Sequence, residues 1–133
     1  MKEFSLEIIT PSKTAFTGQV TSITVPGVKG EFQVLINHAP LMSNFEVGKI
    51  KLGYADGSEV EFVTGGGVIE VLHNVVLLLA DSVEKPEEID VNRAEKSAER
   101  AKKRLAEKAK EIDISRAEIS LARALNRMKY ARK

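Results

Sequence analysis

The chain has 133 residues, 43% hydrophobic and 29% charged, with no cysteine and a net charge of +1. That length suits one domain or one domain with an appendage, and this balance of apolar and charged residues excludes wholesale disorder. Without cysteine there are no disulfides, thiolate zinc sites or cysteine nucleophiles, and no apolar run approaches the roughly 20 residues of a membrane-spanning helix.

The near-neutral total hides two unlike halves. Through Pro86 six basic side chains stand against ten acidic ones, a balance of −4; from Glu87 onward fourteen stand against nine, a balance of +5. All nine glycines lie at or before Gly67, and the last proline is Pro86. We therefore expect two domains, 1–86 and 87–133.

The first stretch reads as short strands punctuated by turns. Met1-Lys2-Glu3-Phe4-Ser5 opens directly into an alternating pattern, Phe4, Leu6 and Ile8, so no signal or transit peptide is expected. Pro11-Ser12 breaks that run. Val20 to Val25 forms a second strand closed by Pro26-Gly27, and Phe32, Val34 and Ile36 alternate up to Asn37-His38-Ala39-Pro40. Ile50, Leu52 and Tyr54 lead into Asp56-Gly57, a dipeptide that favours a type I′ hairpin because both central residues need positive φ. Glu59 to Val63 returns from it, and Gly65-Gly66-Gly67 interrupts. A last pair of strands, Val68 to Leu72 and Val75 to Ala80, is joined by a His73-Asn74 turn. Residues Val75 to Leu79 are apolar at every position, so this strand is either central in a sandwich or has a second face that meets a partner. The spacing predicts an antiparallel β-sandwich or barrel rather than βαβ units.

The second stretch is helical. Val91, Ala94, Ala98, Ala101 and Leu105 follow three- and four-residue steps, as do Ile114, Ala117, Leu121, Ala124 or Leu125, and Met128. We expect an antiparallel two-helix hairpin with a break near Glu107–Asp113, where Asp113 or Ser115 caps the second helix. Its alanine seam holds lightly, because a buried Leu or Ile would add roughly 1.5–3 kcal/mol each. A light seam and an unforced break allow two states, a folded hairpin or one long helix of about 65 Å. Ile89-Asp90-Val91-Asn92-Arg93-Ala94 is echoed by Ile112-Asp113-Ile114-Ser115-Arg116-Ala117, which two helix starts of similar composition explain equally well.

Little in the chain suggests catalysis. His38 and His73 lie in separate turns with no metal-ligand spacing, and the sequence holds neither a nucleophile elbow nor a Walker loop. Gly65-Gly66-Gly67 joins two strands, so it reads as a bulge or a close backbone approach rather than a phosphate loop. Arg93, Arg100 and Arg104 share one helical face, and Arg116, Arg123 and Arg127 share another. Each face is a solvated surface, an anion site built on guanidinium forks, or a docking strip for an acidic protein. Interleaved Glu95, Glu99, Glu107, Glu111 and Glu118, with aromatic residues for base stacking missing apart from Tyr130, argue against nucleic acid. The chain is not expected to be an enzyme.

Four stretches carry a resemblance. They are Ile9-Thr10-Pro11; Gly30-Glu31-Phe32-Gln33-Val34-Leu35 with Asn37-His38-Ala39-Pro40-Leu41; Gly65-Gly66-Gly67-Val68-Ile69-Glu70-Val71; and Ile89-Asp90 with Arg93-Ala94, followed by Arg116-Ala117-Glu118 and Arg123-Ala124 with Arg127. In this order the chain resembles the epsilon subunits of bacterial-type F-type rotary ATP synthases. The resemblance implies a β-sandwich docked on the gamma subunit and the c-ring, with Glu31 and His38 on c-ring-facing loops. It implies a helical hairpin that inhibits ATP hydrolysis when extended along gamma, where it meets acidic segments of the catalytic alpha and beta subunits. It also implies a regulatory ATP on the folded hairpin, with Glu84, Ile89, Asp90, Arg93, Ala94, Arg100, Arg123 and Arg127 as candidates. No catalytic residue, metal, required cofactor or membrane insertion follows from it. The expected place is peripheral, on the cytoplasmic face of the cell membrane, with H⁺ or Na⁺ as the coupling ion.

Overall fold

The computed structural model describes residues 2–107 and 111–131, with the backbone alone for 111–113. The chain divides into two compact units, Met1–Glu84 and Lys85–Lys133.

The first unit contains ten strands among the described residues: β1 (Phe4–Ile9), β2 (Thr14–Val20), β3 (Ser22–Gly27), β4 (Gly30–Val34), β5 (Leu41–Phe45), β6 (Gly48–Gly53), β7 (Glu59–Thr64), β8 (Gly67–Leu72), β9 (Val75–Ala80) and β10 (Val83–Glu84). One half of the sheet runs β10-β7-β6-β3 with β4 also on β3, and the other runs β5-β8-β9-β1-β2. They join where Gly27 pairs with Phe45. Folding one half over the other buries Leu6, Ile8, Val20, Ile69, Val76 and Leu78 from one side against Ile23, Val25, Val34, Ile50 and Leu52 from the other. The alternation read in β1 has this cause: Phe4, Leu6 and Ile8 are all buried while Glu7 is exposed. Burying each of these large side chains favours folding by about 1.5–3 kcal/mol.

Several local expectations change. β1 pairs in parallel with β9, Ser5 opposite Val75 through Ile9 opposite Leu79, within a sheet that is otherwise antiparallel. β2 and β5 have no counterpart in the sequence reading, because polar residues and Gly18 dilute their alternation. Val20 belongs to β2 rather than to the next strand. Thr21 turns the corner, its N–H and hydroxyl both donating to the Gly53 carbonyl at 2.8 and 3.1 Å.

The β6–β7 hairpin is not type I′. The N–H of Gly57 donates to Tyr54 O at 3.0 Å, closing a turn over Ala55 and Asp56, and only Gly57 takes positive φ, 88°. The Asp56 carboxylate instead accepts from the N–H and the hydroxyl of Ser58, at 2.8 and 2.5 Å. A side chain that offers its own turn geometry displaces the one the dipeptide favours. The double positive φ appears at His73 and Asn74, 47° and 62°, in the tight β8–β9 turn.

In the second unit a single 3-10 turn, Pro86–Glu88, leads to α1 (Val91–Ala106), which packs on α2 (Glu111–Tyr130) as a hairpin. Ala94, Ala98 and Ala101 of α1 and Ala117 and Ala124 of α2 are buried. Asp90 caps α1, accepting the N–H of Arg93 at 3.0 Å. α2 starts at Glu111, so Ser115 lies inside the helix and is no cap. Neither Gly nor Pro stands between residues 87 and 110 to delay that start. The expected break at Glu107–Asp113 falls partly on 108–110, and the Asp113 side chain also lies outside the described residues.

Candidate functional site

Two places on the chain gather the residues singled out by sequence. In the hairpin, Arg93, Arg100, Arg116 and Arg123 each precede a buried seam alanine, Ala94, Ala101, Ala117 and Ala124 respectively. The seven-residue repeat of the seam therefore sets the guanidinium groups along its flank. Because the helices run antiparallel, the first turn of α1 lies beside the last turns of α2. That brings Arg93 and Ala94 to the same end as Arg123 and Arg127.

Ile89 is buried and Asp90 exposed at the start of α1. The Asp90 carboxylate is engaged with the Arg93 backbone, and the free N–H groups of the first helical turn add partial positive charge there. Arg100 lies about 10 Å further along α1 and donates from Nη2 to Ser97 Oγ at 3.1 Å. Arg123 and Arg127 are half-buried, and the Nε of Arg123 is shielded from solvent. Glu84 ends the first unit, in β10 opposite Val63. Arg93, Arg123 and Arg127 belong to one end of the hairpin, and guanidinium forks suit an anion such as a phosphate chain.

The second place is the sandwich surface. Glu31 is exposed near the tip of the β3–β4 hairpin, opposite Pro26. His38 lies past the other end of β4, its Nδ1 2.7 Å from the Ala39 carbonyl. The strand thus separates the two. Across β9, Val76, Leu78 and Ala80 point into the core, whereas Val75 and Leu79 are 56% and 49% exposed. Leu72, opposite Val75, and Met42, opposite Glu70, are exposed on the neighbouring strands. The apolar second face of β9 is therefore wet in this chain, which removes the reading that buries it between sheets. A groove of about 600 Å³ runs there between β2 and β8, past Glu7, Glu70, Leu72, Val75 and Leu77.

Nothing in the sequence marks Met42 and Leu72 as surface residues, and Asn37 and Asn74 read there as turn formers only. Asn74 Oδ1 accepts the N–H of Asn37 at 2.6 Å, and Asn74 Nδ2 donates to Asn37 Oδ1 at 3.0 Å. No sequence signal pairs two turns 37 residues apart. Among the described residues, no group of three His, Cys, Asp or Glu side chains could hold a metal ion. No described helix is long and apolar enough to cross a membrane.

Residues 3–86 match the family described as the ATP synthase, Delta/Epsilon chain, beta-sandwich domain, and residues 87–132 match its long alpha-helix domain. The ATP synthase epsilon chain of Salinibacter ruber is 40% identical over 113 residues, covering 79% of this chain and 76% of that one. That of Pelotomaculum thermopropionicum is 44% identical over 101 residues, covering 76% and 75%. Among solved structures, a chain of the Euglena gracilis mitochondrial ATP synthase shares the fold with a TM-score of 0.78 at 23% identity, over 93% of this chain and 78% of that one. A chain of the Tetrahymena thermophila central stalk and c-ring gives a TM-score of 0.57 at 16% identity, over 66% and 70%. Epsilon chains are non-catalytic subunits of that complex. A β-sandwich followed by two helices, matched by both domains of the family over residues 3–132 and by epsilon chains at 40% and 44% identity over 79% and 76% of its length, has one reading: the chain belongs to the ATP synthase delta/epsilon-chain family, among its epsilon chains.

Proposed function

We propose that this chain is a central-stalk subunit whose domain 1–86 docks on gamma and the c-ring, while domain 87–133 is a switch that restrains ATP hydrolysis. The observation that carries the switch is the seam. Among the described residues of α1 and α2, only alanines are fully buried, and Val91, Leu105, Leu121 and Met128 are half-buried. An interface of that kind is held by little apolar area, so a binding partner can choose between folded and extended forms. Extended, the helices present Arg93, Arg100, Arg116, Arg123 and Arg127 to acidic segments of the alpha and beta subunits. The complex couples H⁺ or Na⁺ flow to synthesis, and the chain sits peripherally on the cytoplasmic face of the membrane.

The docking face is the wet side of β9 with Leu72 and Met42, which would meet gamma. Glu31 and His38 lie at the two ends of β4, and both stand as c-ring-facing candidates. ATP is the proposed regulatory ligand of the folded hairpin, held by Arg93, Arg100, Arg123 and Arg127 with Ile89, Asp90 and Ala94 at the start of α1; Glu84, the last residue of the first unit, stands as a candidate on the sequence resemblance alone. Its effect depends on affinity. A ligand at a thousandfold excess over Kd stabilises the folded form by ~4 kcal/mol, and one equal to Kd by ~0.4 kcal/mol.

Two measurements test the reading. Removing residues 87–133 should raise hydrolysis by the assembled complex, and unchanged hydrolysis retires the switch. Isothermal titration should show ATP binding that Arg93→Ala weakens strongly, and no heat at millimolar ATP removes the nucleotide while leaving the stalk assignment intact.

A further inference from the structure

Three segments of the sandwich meet at Asn74. Its side chain exchanges two hydrogen bonds with Asn37, and its carbonyl accepts the N–H of Ser5 at 3.1 Å. Asn37 and Asn74 both hold left-handed backbone, φ 63° and 62°, which L residues other than Gly adopt at a cost that Asn bears best. Both side-chain bonds are exposed, so water competes for them and they add little to the stability of a sandwich whose core lies elsewhere. Their effect is on shape.

Asn37 is followed directly by His38, whose N–H reaches back to Leu35 O at 3.3 Å, and the segment then enters β5 with Leu41 opposite Val71. Asn74 sits in the turn between Leu72 and Val75, the exposed pair at one end of the apolar face. The two asparagines thus tie the loop carrying His38 to the rim of the face that β9 exposes. Preordering of that kind reduces what a surface must lose when a partner binds it.

We propose that Asn74 is a positioning residue: its side chain fixes residues 35–41 so that the His38 loop, facing the c-ring, and the apolar rim at Leu72 and Val75, facing gamma, form one rigid surface. This rests on the docking reading above. Ser5 extends the tie to β1, so the rim, the loop and the start of the first strand move together.

Asn74→Gly tests it in the full-length chain, because glycine keeps the positive φ and removes only the amide. Backbone hydrogen exchange at Asn37 and His38 should accelerate about tenfold, while Ile50 and Phe62 in the core stay protected. Rebinding to ATP synthase stripped of its epsilon subunit should weaken about fivefold. Asn74→Asp, which keeps an acceptor for the Asn37 N–H and loses the donor, should fall between. Unchanged exchange at Asn37 overturns the proposal, and so does faster exchange with undiminished rebinding. His38→Ala that leaves rebinding intact, with Asn74→Gly still weakening it, sinks the place of His38 in the docking surface and leaves the asparagine tie standing.

Discussion

Gly67 lies against the backbone carbonyl of Leu79 so closely that a β-carbon on it would overlap that oxygen. Gly67 opens β8 and pairs with both Phe45 and Ala80, so neither neighbouring strand can move away without breaking its ladder. Gly67→Ala should therefore cost about 2 kcal/mol of stability in urea unfolding. Gly57→Ala, at a turn with open space and φ 88°, should cost only about 1 kcal/mol from backbone strain. Equal losses would show that space at Gly67 is not the constraint.

Asp56 carries a pH dependence. The hydrogen bonds from the side chain and backbone of Ser58 hold its carboxyl below the ordinary 3.8, outweighing a small opposing effect of burial. A carboxylate with a lowered folded-state pKa contributes stability that is complete above the unfolded value and lost as pH falls through the folded one. Asp56→Ala should thus be less stable than the parent at neutral pH, with the gap closing on acidification below 3.8. A gap that stays constant across that range would mean the charge is not involved.

Asp90 has a structural duty that must be separated from its part in the proposed nucleotide site. As the N-cap of α1 it accepts the Arg93 N–H at 3.0 Å, and losing such a cap costs about 1 kcal/mol. Asp90→Ala should lower helicity and stability, and Asp90→Asn should restore most of both. If Asn restores the helix and ATP titration still fails, the carboxylate charge itself serves the ligand.

Ala98 is 4% exposed in the seam, so a larger side chain there has to fit between the two helices. Ala98→Leu should push the helices apart at about 1–3 kcal/mol while keeping their individual helicity. Spin labels on α1 and α2 read this directly: a broadened distance distribution with unchanged far-ultraviolet circular dichroism is expected. A tighter, more stable hairpin would contradict the light-seam argument.

Leu79 separates docking from folding, since it is half exposed. Leu79→Asp should change unfolding stability by no more than about 0.5 kcal/mol. Binding to isolated gamma should nonetheless fall sharply, because a carboxylate would be buried at the contact. Undiminished gamma binding would move the docking surface away from β9.

The candidate site was legible in part. Residue types and helical spacing set Arg93, Arg100 and Arg104 on one face and Arg116, Arg123 and Arg127 on another, since a helix fixes which residues are neighbours within a turn. The association of the His38 loop with the His73-Asn74 turn was hidden, because side-chain bonds between distant turns leave no periodic trace.

What the sequence determined by itself was everything governed by near neighbours: the inward alternation of Phe4, Leu6 and Ile8, the turn at His73-Asn74, the cap at Asp90 and the alanine seam. Only the tertiary structure decided the parallel pairing of β1 with β9, the turn type at Asp56 and which face of β9 stays wet. Local rules act through bonds a few residues long. Strand partners, and the side chains left facing water, depend on how distant segments share one core, and no single segment carries that information.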